Sequence, residues 1–143
     1  TAAAAEPKVR INRAVLEQTI LKPNMVVSGK QCHRQASREE VAEKTIQVLK
    51  RCVPAAVPGI AFLSGGQSDE DATAHLHLMN AKGGLPWKLS FSYGRALQAA
   101  ALKAWSGKSD NVAAGQRAFS HRAKMNGLAA AGKWSDKAEK SAG

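Results

Sequence analysis

Ile20-Leu21-Lys22-Pro23-Asn24-Met25-Val26 is the stretch from which the fold is read. Val15, Leu16, Thr19, Ile20 and Leu21 favour extended backbone, and Pro23 turns Lys22 itself away from helix toward β or polyproline conformation. The pattern predicts a strand from Val15 to Leu21, with Lys22 displayed in a fixed direction at its carboxyl end. A desolvated lysine there has a neutral amine near physiological pH and serves as a nucleophile or Schiff-base former, whereas one left in water is only a solvated charge. Glu17 lies five residues before Lys22 on the same predicted strand. Odd spacing puts the two on opposite faces, so Glu17 is not its partner.

Outward from this stretch, Ser28-Gly29-Lys30 opens a loop running to Ala36. Ser37 with Glu40 makes a capping box, and Val41, Thr45, Val48, Leu49 and Cys52 recur at helical spacing, which predicts a helix from about Arg38 to Arg51. Pro54 and Pro58 bracket a turn. Gly59 to Ser64 is then a short continuous apolar run of the kind found in strands covered on both faces. Ser68 with Asp71 is a second capping box, with Asp69 and Glu70 in the positive first turn, so a helix is predicted from about Asp69 to Ala81 before Lys82-Gly83-Gly84 ends it. Trp87 to Tyr93 alternates into a third strand. Ala96, Leu97, Ala100, Ala101, Ala104 and Trp105 mark an alanine-rich helix that stops near Ser106-Gly107. Asp110 is placed to cap a last helix from about Asn111 to Ala131, with Arg117, His121, Arg122 and Lys124 forming a basic side.

The resulting order is strand, helix, strand, helix, strand, helix, helix, and the connections are crossovers too long for hairpins, so the three strands are predicted to be parallel. All three end in chemically suggestive residues: Lys22, then Ser64-Gly65-Gly66, then Ser92-Tyr93-Gly94-Arg95. Carboxyl ends of strands are the functional edge in α/β folds. Ser64-Gly65-Gly66 before a capped helix offers backbone amides that a phosphate can approach closely, and Gly94 with Arg95 adds an amide and a bidentate guanidinium. A glycine pair of this kind is also a plain tight turn. Three such units suit the last three of a (β/α)8 barrel.

Composition sets the outer bounds. The 143 residues carry a net charge of +10 from 21 basic and 11 acidic residues, which favours nucleic acid, anionic membranes or phosphorylated ligands as partners. The basic residues are spread from Lys8 to Lys140 without a block, and no aromatic and basic motif of the RNA-recognition type occurs, so nucleic-acid contact is the second expectation rather than the first. No apolar run reaches the roughly 20 residues needed to span a bilayer. Residues 1–14 read as a flexible leader, 15–132 as the barrel-like domain, and 133–143 as a charged tail. Cys32 and Cys52 are too few and too far apart for a disulfide framework or zinc site, which points to a reducing compartment, cytoplasm or an organelle. His75 and His77 are two apart on a predicted helix and point to different faces, which argues against a shared metal.

Three long motifs, in order, resemble the carboxyl-terminal portion of class I fructose-bisphosphate aldolases: Leu16 to Val26 with its Ile20-Leu21-Lys22-Pro23-Asn24, Val53-Pro54 through Phe62-Leu63-Ser64-Gly65-Gly66-Gln67-Ser68, and Phe91-Ser92-Tyr93-Gly94-Arg95-Ala96-Leu97-Gln98-Ala99. Leu102-Lys103-Ala104-Trp105 continues the likeness. The resemblance implies a partial (β/α)8 barrel, Lys22 as the Schiff-base lysine of strand six, and Ser64, Gly65, Ser92, Gly94 and Arg95 as the residues holding a substrate phosphate. It further implies cleavage of fructose 1,6-bisphosphate to dihydroxyacetone phosphate and glyceraldehyde 3-phosphate through an iminium electron sink, with neither metal nor cofactor.

The chain also departs from that family. Members are about two and a half times this length, and their acid-base residues on strands one to five have no counterpart here. The usual carboxyl-terminal tail ending in tyrosine is replaced by Lys133-Trp134-Ser135-Asp136 and a short charged end. Two expectations follow: a catalytic aldolase segment completed by further polypeptide, or an aldolase-derived structural subunit of a larger assembly. Three strands alone leave unpaired edges and apolar faces, so either expectation includes another protein chain covering the open sheet.

Overall fold

The computed structural model describes residues 14–141, so all but the last residue of the expected leader, and the last two residues of the expected tail, lie outside the described residues. Two capping serines set the frame. Ser37 Oγ accepts from the Glu40 amide at 3.2 Å and starts helix α1 (Arg38–Cys52); Ser68 Oγ accepts from the Asp71 amide at 3.1 Å and starts α2 (Asp69–Lys82). The reciprocal half of the first capping box is not made, because the Glu40 carboxylate pairs instead with Arg34 at 2.8 Å. Helices α3 (Arg95–Trp105), α4 (Val112–Ala130) and the short α5 (Asp136–Lys140) follow.

The strands are β1 (Ile20–Leu21), β2 (Gly59–Phe62) and β3 (Lys88–Phe91), in the order β1-β2-β3, all parallel, with Leu21 opposite Ile60, Ile60 opposite Leu89 and Phe62 opposite Phe91. Backbone hydrogen bonds continue the ladders past the assigned ends, from Leu63 N to Pro23 O at 3.0 Å and from Ser92 N to Phe62 O at 2.8 Å. Each strand is followed by a helix, as the spacing predicts.

One face of the sheet is covered. Ile60, Phe62 and Leu89 are buried there with Ala72, Leu76 and Met79 of α2 and Met125 and Ala129 of α4 in a single core cluster, which Leu21 and Phe91 join from the side. Burying one such large apolar side chain contributes about 1.5–3 kcal/mol. Alternate residues point the other way: Ile20, Lys22, Lys88, Ser90 and Ser92 are exposed, and Ile20 Cδ1 lies 3.3 Å from where a Cβ on Gly59 would stand.

Three sequence expectations are corrected. The strand Val15–Leu21 shrinks to Ile20–Leu21, because Leu16–Gln18 forms a 3₁₀ turn held by Gln18 N to Val15 O and by Thr19 Oγ1 to Val15 O at 2.9 Å. Asp110 caps nothing, since Ser109–Asn111 is itself a 3₁₀ turn and Asn111 precedes α4 without a side-chain cap. Arg122, read as part of a basic side, is buried.

Candidate active site

The register brings the three suggestive strand ends to one edge. Lys22 follows Leu21 directly, on the open face, level with Ala61 and Ser90; its side chain is solvent-exposed in this chain. The backbone after it is anchored rather than loose: Pro23 O accepts from Leu63, Met25 is buried, and Val26 N donates to Thr45 Oγ1 of α1 at 2.9 Å.

Next to it the Ser64–Gln67 turn follows β2. Gly65 and Gly66 both have positive φ, at 56° and 79°, where glycine alone is unstrained. Gly65 is also required by space: a Cβ there would meet Asn24 Oδ1 at 2.3 Å. Asn24 Oδ1 is held in turn by the Met25 amide at 2.9 Å, so the segment after Lys22 and the turn after β2 fit against each other. Ser64 itself is buried.

On the third unit Gly94 stands at the start of α3 without a side-chain cap, which leaves first-turn amides without intrahelical partners, and Arg95 is exposed beside them. Tyr93 between Ser92 and Gly94 is a core residue, its hydroxyl donating to Ala72 O at 2.9 Å; burial pushes its phenol well above the ordinary range. A groove of about 450 Å³ runs between the start of α2 and α3 and is lined by Ser64, Gly66, Gln67, Arg95 and Lys103 among others. Of the six expected site residues it brings Ser64 and Arg95 together. Lys22, Gly65, Ser92 and Gly94 lie at the same sheet edge without lining that groove. Lys103, two turns beyond Arg95, was not singled out in the sequence as a site residue. The signal for it is its place on the Ala96, Ala99, Ala100 stripe that faces the groove.

His75 and His77 go to different partners, as their spacing implies: His75 Nδ1 to Gln67 Oε1 at 2.6 Å, and His77 against the Trp134 ring, centroids 5.8 Å apart. Burial lowers the pKa of both. Among the described residues no group of three or more His, Cys, Asp and Glu side chains is placed to hold a metal ion, and no helix is long and apolar enough to cross a membrane.

A second polar cluster adjoins the groove through Asp69, which lines it at the start of α2. Arg122 of α4 and Glu139 of α5, with side chains only 6% and 10% exposed, form an ion pair. Thr73 Oγ1 accepts from Arg122 at 3.1 Å, and Trp134 Nε1 donates to Glu139 at 2.9 Å. Asp69 lies 3.6 Å from Arg122 Nε, and His121 Nε2 lies 3.2 Å from Glu139. Burial raises the Glu139 pKa, but the hydrogen bonds from Trp134 and Arg122 and the guanidinium charge outweigh it and hold the carboxyl below its ordinary value.

Three parallel β/α units with their chemistry gathered at the carboxyl edge, and with most side chains of one sheet face exposed among the described residues, define a segment of a (β/α)8 barrel. The family model for fructose-bisphosphate aldolase class-I matches residues 3–143. A probable fructose-bisphosphate aldolase class 1 of Xanthomonas campestris pv. campestris is 63% identical over 121 residues, 84% of this chain and 36% of that protein. Fructose-bisphosphate aldolase 2 of Caenorhabditis elegans is 58% identical over 120 residues, 83% of this chain and 33% of that protein. The structure of Plasmodium falciparum fructose-bisphosphate aldolase, solved in complex with TRAP and a small-molecule inhibitor, superposes with a TM-score of 0.90 at 44% identity, over 94% of this chain and 39% of that one. The chain belongs to the class I fructose-bisphosphate aldolase family, and it spans about a third of the length of the curated relatives it matches.

Proposed function

We propose that this chain carries the Schiff-base lysine and a phosphate cradle of a class I fructose-bisphosphate aldolase, whose catalytic unit is the completed barrel. The observation that carries the reading is the shared edge: Lys22, the Ser64–Gly65 turn and Ser92-Gly94-Arg95 end three paired parallel strands in register, and Ser64 and Arg95 line one groove. On this reading Ser64, Gly65, Ser92, Gly94 and Arg95 hold a phosphate of the substrate, through backbone amides, hydroxyls and the guanidinium fork.

The chemistry follows from an amine beside a held ketose phosphate. Lys22 Nζ attacks the C2 carbonyl of fructose 1,6-bisphosphate and water leaves, giving an iminium. As the C4 hydroxyl gives up its proton, the electron pair of the C3–C4 bond moves into the iminium and glyceraldehyde 3-phosphate departs. The enamine takes a proton at C3, and hydrolysis returns the free lysine and dihydroxyacetone phosphate. On the open face of this sheet Lys22 has only Ala61 and Ser90 level with it and Ile20 and Lys88 one step away. The acid and base for the C4 and C3 protons therefore come from strands that close the barrel over this face, in the same polypeptide or another, and that polypeptide is the partner this reading requires. On this reading residues 15–132 are the barrel segment, onto which the stretch from residue 133 packs back through Trp134 and Glu139.

Among the basic side chains, Arg34, Arg38, Lys82 and Arg122 each pair with a carboxylate, which withdraws them from any surface facing a nucleic acid. The surplus positive charge suits a sugar bisphosphate. The test is borohydride trapping of the native protein with dihydroxyacetone phosphate. An adduct mapped to Lys22 and absent in Lys22→Met is the expected result. An unmodified Lys22, with an active aldolase trapped alongside, overturns the reading.

A further inference from the structure

The turn that ends β2 is held from outside by a side chain that no step of the chemistry above uses. Gln67 bonds twice to the Ser64 carbonyl, through its backbone amide at 3.0 Å and its side-chain Nε2 at 2.9 Å. Because that amide NH₂ donates to Ser64, its Oε1 faces the other way, and His75 Nδ1 meets it at 2.6 Å. The orientation of Gln67 therefore fixes the imidazole as the tautomer that carries its proton on Nδ1. His75 is 6% exposed and rigidly mounted, in the second turn of α2, whose first turn is tied by the Ser68 cap and the Arg38–Asp71 pair at 2.8 Å. Burial, the largest influence on the ring, favours the neutral form; Arg38 acts in the same direction, while Asp71 and Glu39 oppose it.

We propose that His75 and Gln67 form a positioning relay that holds the Ser64–Gly66 turn in its phosphate-accepting shape, with Gln67 as the link and His75 as the anchor. Ser64 is both the first residue of the turn and the acceptor of both Gln67 bonds, so losing the relay leaves a carbonyl with one restraint in place of two. Gly65 and Gly66 have no side chains with which to stiffen the turn themselves. The relay acts on the turn and not on Lys22, which sits on the neighbouring strand. Its loss therefore weakens phosphate binding and leaves the chemistry of the bound complex alone. This inference rests on the reading of that turn as a phosphate cradle.

The test compares His75→Leu, His75→Asn and Gln67→Ala in the native protein. His75→Asn places a side-chain N–H close to the position of Nδ1; His75→Leu removes it. Affinity for inorganic phosphate, measured by titration calorimetry, is expected to fall about three- to tenfold in His75→Leu and Gln67→Ala, the worth of one hydrogen bond, and to recover to within about twofold in His75→Asn. In His75→Leu, whose side chain does not line the groove, KM for fructose 1,6-bisphosphate should rise in parallel with kcat unchanged. Loss of thermal stability in His75→Leu with phosphate affinity intact, or wild-type protein that binds no phosphate, overturns the relay. The two readings fail separately. A Lys22 adduct with phosphate affinity indifferent to His75 sinks the relay alone, whereas His75-dependent phosphate binding without an adduct supports the relay and sinks the catalytic reading.

Discussion

The two faces of the three-stranded sheet come from the same three short strands and the residues that directly follow them, and behave as different materials. On one, Ile60, Phe62 and Leu89 are buried under α2 and α4. On the other, Ile20 is 62% exposed and Lys22, Lys88, Ser90 and Ser92 face solvent. Strand alternation produces both at once, so the difference is not one of local sequence preference but of what lies opposite. The covered face is stabilised by this chain's own helices; the open face carries Lys22, and among the described residues Ile20, Lys22, Lys88, Ser90 and Ser92 stay exposed on it. Substitutions on the covered face should therefore act on folding, and those on the open face on function.

The sharpest test of that division is Phe62→Ala against Ser90→Ala. Phe62 is fully buried, and its truncation is expected to cost about 3–5 kcal/mol in denaturant unfolding, whereas Ser90→Ala should stay within about 0.5 kcal/mol. Equal costs would mean that the open face is packed as tightly as the other.

How much of this was readable beforehand depended on the range of the forces involved. Ser37, Ser68, Gly65 and Pro23 act within a few residues, and the helices they start, the turn and the parallel strand order all follow from spacing. The strand before Lys22 failed for the opposite reason: Thr19 and Gln18 found hydrogen bonds at Val15, a local alternative to the ladder that apolar content does not report. Arg122 and Glu139 are seventeen residues apart, and a charged residue in a helix reads as solvated until the tail is seen to fold back. Trp134, the one large apolar residue in a stretch that otherwise looked like a charged tail, was the available sign, and it is buried against His77. At the candidate site the groups at the strand ends were visible as motifs. The grip of Gln67 on Ser64 and of Asn24 on Gly65 depends on geometry across loops and was not.

The Arg122–Glu139 cluster provides the next largest effect, because it is the covered face's polar counterpart. Glu139→Ala leaves the buried Arg122 only the more distant Asp69, 3.6 Å from its Nε, and should cost about 3 kcal/mol at neutral pH. Since the native carboxyl has a lowered pKa, its contribution is complete above the ordinary glutamate value of about 4.3 and fades as pH falls through the native one. Amide exchange in residues 134–140 should therefore accelerate below about pH 4 before the strands exchange; simultaneous exchange would mean that α5 is not held by this pair. Gly65→Ala ranks below it at about 1–3 kcal/mol, from the positive φ and the clash with Asn24, and should also weaken phosphate binding, which ties the edge to the open face.

The smallest effect is the most informative about the open face. Ile20 is 62% exposed and borders the space over Gly59, so Ile20→Thr in the 143-residue chain removes little buried apolar area and should change stability by less than about 0.5 kcal/mol. In a closed barrel the same side chain would face the interior, where deleting a buried methyl and leaving an unpaired hydroxyl costs about 1–3 kcal/mol. The difference between the two values measures closure directly, because Ile20 shares its face with Lys22 and takes no part in the chemistry. If Ile20→Thr is equally mild in the native protein, this face stays open there as well, and the reading of Lys22 as part of a closed interior falls. A penalty that appears only in the native protein places Lys22 within a closed interior, two residues along the same strand and on the same side.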